Sequence, residues 1–192
     1  MLEAFLVSSG VVALAEIGDK TQLLALVLAA KFRRPVPIIL GILTATVVNH
    51  GIAGYVGAWV AAHLGPVLMR WILGLSFLAM AAWILVPDSL DEEVDPKPRY
   101  GVFGTTVIGF FVLEMGDKTQ IATVALAARY PSLLAVVAGT TVGMMLANVP
   151  AVVLGDVAAR KLPLKVVHSI AAGLFAVLGI AVLLGVGMPG AP

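Results

Sequence analysis

Two short runs hold most of the residues in this chain that could do chemistry. They are Glu16-Ile17-Gly18-Asp19-Lys20-Thr21-Gln22 and Glu114-Met115-Gly116-Asp117-Lys118-Thr119-Gln120. Each sits in the middle of a long apolar stretch, where a charged side chain costs ~2.5–3.5 kcal/mol on insertion scales, so such residues point to function. Together the runs offer four carboxylates, Glu16, Asp19, Glu114 and Asp117, with further oxygens on Thr21, Gln22, Thr119 and Gln120. An all-oxygen set of this kind suits a hard divalent cation. Four carboxylates and two lysines, Lys20 and Lys118, sum to −2, which one divalent ion neutralises. Without the ion, crowded carboxylates out of water take up protons instead. Competition between one metal ion and two protons for the same groups is the minimal chemistry of a cation/proton exchanger.

On a continuous helix Glu16 and Asp19 share one face, as do Glu114 and Asp117, with Gln22 and Gln120 three residues further on. Gly18 and Gly116 weaken that helix by about 1 kcal/mol each relative to alanine and permit it to kink or break, or to approach its counterpart closely. Lys20 and Lys118 are expected to pair with motif acids and balance their charge. The plain alternative, an inert Asp–Lys or Glu–Lys pair that only fixes packing, suits one isolated motif better than two copies. Asn148 matches His50 in register, with Asn49 adjacent. Asn148 ranks ahead of His50 as a supporting group, and interhelical hydrogen bonding is the structural reading of both. Thr44, Thr46, Thr140 and Thr141 are expected to bond their own helix backbone. Met115, Met144 and Met145 are expected to pack, and Asp156 to pair with Arg160 at a surface. Gly41, Gly57, Gly139 and Gly155 are expected at close helix contacts.

The elements that must position these groups follow from hydropathy. Of the 192 residues 60% are hydrophobic and 12% charged, with a mean hydropathy of +1.06. A soluble domain is nearer 25% charged, so lipid is the expected surrounding partner. The net charge of +1 excludes the basic footprint of a nucleic-acid binder, and with no cysteine neither disulfides nor thiolate metal sites arise. Six stretches are long enough to span a bilayer: 4–30, 36–62, 67–86, 102–128, 133–159 and 164–186. The first lacks a basic leader and cleavage site, and is expected to be a retained helix. A proline-rich acidic linker divides the chain into 1–87, 88–100 and 101–192.

Sliding the sequence by 98 residues superposes the two motifs and also aligns Leu28-Ala29-Ala30 with Leu126-Ala127-Ala128, Gly41 with Gly139, and Phe77 with Phe175. The chain is therefore read as an all-α membrane protein of six to seven transmembrane-length helices in two repeats. With three spans each, the second repeat must be inverted, which is the plan of many secondary transporters. Eight basic loop residues (Lys31, Arg33, Arg34, Lys97, Arg99, Arg160, Lys161, Lys165) against two (Arg70, Arg129) place the linker in the cytoplasm and both termini outside.

Both runs resemble the paired signature E-x-G-D-[KR]-[TS] of a membrane family of manganese and calcium transporters found in the Golgi, chloroplasts and bacteria. The resemblance covers essentially the whole chain. It implies exchange of Mn²⁺ or Ca²⁺ for protons, outward from the cytosol, with Glu16, Asp19, Glu114 and Asp117 binding the cation and no bound cofactor. The chain looks like a compact bacterial form of the inner membrane, for which manganese export is the expected task. An exporter of a small organic cation is the nearest rival. A cation channel and an intramembrane aspartyl protease are the others, and a channel would not need protonatable groups in both halves.

Overall fold

The computed structural model describes residues 1–86, 100–154 and 164–186, and every regular element among them is a helix. The first half holds α1 (Leu2–Glu16), α2 (Lys20–Phe32), α3 (Pro35–His63) and α4 (Pro66–Trp83). The second holds α5 (Gly101–Glu114), α6 (Lys118–Arg129), α7 (Leu133–Leu154) and α8 (Leu164–Leu183). Prolines in the first turn start α3 and α4, where the missing N–H has no helical partner to lose. Linker residues 88–99, Gly155, Asp156 and the basic residues Lys97, Arg99, Arg160 and Lys161 lie outside the described residues.

Helices α3, α4, α7 and α8 are each long and apolar enough to cross a membrane alone. The expected spans 4–30 and 102–128 are each two half-helices in series. The first breaks at Ile17-Gly18-Asp19, where Gly18 takes φ 85° and Asp19 is extended at ψ 168°. The second breaks at Met115-Gly116-Asp117, with Gly116 at φ 80° and Asp117 at ψ 169°. Only glycine takes such a positive φ routinely, because a Cβ there crowds the following carbonyl. The shared helix face expected for Glu16 and Asp19 is therefore absent. Glu16 ends α1 and Asp19 precedes α2, and the same holds for Glu114 and Asp117.

The halves pack crosswise. Helix α1 lies against α7, and α5 lies against α3 in the matching way. A Cβ on Gly41 would meet the Phe103 carbonyl at 3.1 Å and Thr106 Cβ at 2.7 Å; one on Gly139 would meet the Phe5 carbonyl at 2.6 Å and Ser8 Cβ at 3.0 Å. Phe5 and Ser8 are the repeat counterparts of Phe103 and Thr106, so the two contacts are one contact repeated by a twofold relation. Gly57 likewise stands where a Cβ would be 2.2 Å from the Val124 carbonyl. Small residues let membrane helices approach in this way. The counterparts Phe77 and Phe175 meet each other at 6.2 Å where α4 packs on α8. Large apolar side chains such as Leu6, Trp59, Val112, Leu146 and Val177 point outward and are at least half exposed, as a lipid-facing surface requires.

Candidate cation site

Each motif is braced by its own glutamine and threonine. The Gly18 N–H donates to Gln22 Oε1 at 2.8 Å, and the Gly116 N–H donates to Gln120 Oε1 at 2.7 Å. Those glutamine oxygens satisfy an amide that the helix break would otherwise strand. Gln22 Nε2 also donates to the Ala147 carbonyl at 3.0 Å, tying the first break to α7. Thr21 donates to Glu16 Oε2 at 2.5 Å and Thr119 to Glu114 Oε2 at 3.2 Å.

The breaks turn carboxylates from both halves toward one another. One ligand oxygen each from Glu16, Asp19 and Asp117 lie within 4.8 Å of one another. Donors on opposite sides of a divalent ion stand about 4–5 Å apart for metal–oxygen bonds of about 2.0–2.6 Å, so the cluster has the dimensions of a cation site. Glu114 lies outside this group but within electrostatic reach of Glu16 and Asp19. Glu16 and Glu114 are completely buried and Asp19 is 2% exposed. Glu16 Oε1, Asp19 Oδ2, Glu114 Oε1 and Asp117 Oδ2 have no hydrogen-bond partner among the described residues. Buried acceptors in such number repel unless protons or a cation come between them.

The lysines reach across the halves. Lys118 Nζ is 2.9 Å from Asp19 Oδ1, with both side chains 2% exposed. Lys20 is half-buried and within electrostatic reach of Asp117. The Asn148 side chain turns to its own helix, donating from Nδ2 to the Met144 carbonyl at 3.1 Å, and its Oδ1 has no partner among the described residues. His50, ranked lower from sequence, is instead beside a motif acid, with Nε2 3.7 Å from Glu114 Oε2. Asn49 donates to the Phe111 carbonyl at 3.1 Å. Thr44 and Thr140 bond their own helices as expected, while the hydroxyls of Thr46 and Thr141 have no hydrogen-bond partner among the described residues. Met144 is buried in the core and Met115 is exposed.

One site-covering residue gave no sequence signal. His168 Nε2 lies 2.7 Å from the Ile17 carbonyl, a group freed by the first break. It comes from the start of α8, which is apolar apart from Lys165, Ser169 and this histidine.

A family profile described as a divalent cation/proton antiporter, GDT1, matches residues 4–92 and 102–188. A Vibrio cholerae protein named "Putative manganese exporter" is 49% identical over 94% of this chain and 90% of its own length. A GDT1-like protein of Synechocystis is 30% identical over 91% of this chain and 94% of its own length. A GDT1-like protein of Oryza sativa is 28% identical, covering 91% of this chain and 71% of the relative. No solved structure matches.

Proposed function

The chain belongs to the GDT1 family of divalent cation/proton antiporters, and from that premise we propose that it exports Mn²⁺ from the cytosol in exchange for protons at one site shared by both motifs. Ca²⁺ is the second candidate ion. The observation that carries this reading is the meeting of Glu16 and Asp19 from the first half with Asp117 from the second, within 4.8 Å. A divalent ion entering this cluster displaces protons, because the same oxygens cannot hold both. Proton return restores the charge balance and readies the site for the next ion. Lys118 holds Asp19 in place and offsets part of the negative charge, and Lys20 does so near Asp117. The name of the Vibrio relative supports manganese as the ion.

In this reading residues 1–87 and 101–192 are the two inverted repeats and 88–100 the cytoplasmic linker. Both termini lie outside the cytoplasm of a bacterial inner membrane, as the loop charges favour. Transport then proceeds by one repeat rocking against the other around the shared site. The test is flux of Mn²⁺, Ca²⁺ and Mg²⁺ into proteoliposomes carrying a pH dye in the lumen. Mn²⁺ entry with opposite proton movement is expected, lost in Glu16→Gln and Asp117→Asn. Mn²⁺ flux that ignores a proton gradient would contradict the exchange.

A further inference from the structure

The acidic cluster uses three of the four motif carboxylates, and the fourth has a neighbour that an all-oxygen site does not need. His50, midway along α3, is completely buried, and its Nε2 lies 3.7 Å from Glu114 Oε2. Neither ring nitrogen has a hydrogen-bond partner among the described residues. A buried imidazole in a protein interior is ordinarily bonded through at least one nitrogen. The counterpart of His50 in the second half is Asn148, whose unpartnered Oδ1 is an oxygen. The twofold relation thus places a nitrogen donor on one side and an oxygen donor on the other.

We propose that His50 is a nitrogen ligand of the transported ion, acting beside Glu114, and that it selects a first-row transition ion over Ca²⁺. This rests on the exchanger reading above and adds to it the residue that sets ion preference. Two donors on one ion with bonds of about 2.0–2.6 Å lie about 3–5 Å apart, so the 3.7 Å separation admits an ion held by both. Ca²⁺ fills its shell with six to eight oxygens, and an imidazole in place of one weakens its hold. First-row divalent ions accept nitrogen and oxygen together. Mn²⁺ stands at the weak end of their affinity order, so Fe²⁺ and Zn²⁺ should compete with it at this site.

Mn²⁺ bound to the untagged full-length protein reports its own ligands. Pulsed electron paramagnetic resonance is expected to show a ¹⁴N coupling in the wild type that is absent in His50→Asn. In proteoliposomes the same variant should lower the preference for Mn²⁺ over Ca²⁺ on the order of tenfold, Mn²⁺ transport falling more than Ca²⁺ transport. Three results would overturn the assignment. They are a wild-type Mn²⁺ complex without ¹⁴N coupling, coupling that persists in His50→Asn, or loss of both ions in equal proportion as for a packing residue. Should His50→Asn fail to fold, elimination decides, because the chain has three histidines. Imidazole-type coupling that survives both His63→Gln and His168→Gln belongs to His50, and coupling that either abolishes does not. Wild-type protein that binds no Mn²⁺ would contradict the exchanger reading itself.

Discussion

In the first motif Gly18 lies under the start of α8, where a Cβ would stand 2.9 Å from Leu164 and 3.3 Å from His168; in the second, no described residue comes within 4 Å of that point on Gly116. The backbones of the two motifs agree closely, with glycine φ of 85° and 80° and aspartate ψ of 168° and 169°. Their surroundings do not. The repeat counterparts of Leu164 and His168 are Pro66 and Arg70 in α4, and neither comes near Gly116. The first motif gives both its acids to the cluster, whereas the second gives Asp117 and leaves Glu114 beside His50. The local fold is therefore the same in both motifs, and the packing around it makes them unequal. For the exchanger proposed above, that inequality is what leaves one side of the site open.

The comparison can be broken hardest at the aspartates. Asp19→Asn replaces one carboxylate oxygen by an amide nitrogen and removes the negative charge that buried Lys118 faces at 2.9 Å. Opening a buried pair from one side costs about 3–5 kcal/mol, so this variant should lose both transport and much of its thermal stability in detergent. Asp117→Asn, whose neighbour Lys20 is only half-buried, should lose transport and a smaller share of its thermal stability. An Asp19→Asn variant that melts with the wild type would show that the Asp19–Lys118 pair holds nothing together.

A smaller difference is expected at the glycines. Gly116→Ala meets only the strain of positive φ, about 1–2 kcal/mol. Gly18→Ala meets the same strain and also presses on Leu164, so it should be the less stable by about a further 1 kcal/mol. Adding Leu164→Ala to each variant should narrow that gap; a gap that stays unchanged would mean α8 does not cover the first motif. The smallest effect belongs to His168. Replacing it with leucine removes its bond to the Ile17 carbonyl, worth about 1 kcal/mol, while glutamine, which can still donate, should lose less. Arg70→Leu at the matching position should leave the second motif's geometry unaffected, as read by Mn²⁺ affinity.

The spans and the repeat could be read from sequence because both depend on pattern alone. Apolar length marks the helices, and the 98-residue offset keeps Gly41 with Gly139 and Phe77 with Phe175. The glycines pointed to a break, but not to its consequence. A spacing of three puts Glu16 and Asp19 on one face only if the helix continues, and it ends between them. What brings Glu16, Asp19 and Asp117 together is the turn at Gly18 and the crosswise packing of the halves, neither of which residue spacing encodes. The Asp19–Lys118 pair joins positions 99 apart in the chain and emerges only from that packing. His50 and Asn148 share a register, so sequence offered no reason to prefer the imidazole. The difference arises because Asn148 bonds back to Met144 while His50 faces Glu114.

The central claim is that two motifs make one site, and counting ions tests it most directly. Mn²⁺ titrated into the purified protein and followed by the loss of its free paramagnetic signal should saturate at about one tight ion per chain, the number that the cluster's charge balance admits. Glu16→Gln, altering only the first motif, and Asp117→Asn, altering only the second, should each abolish that binding. Two ions per chain in the wild type, or one tight ion surviving in either variant, would contradict a shared site.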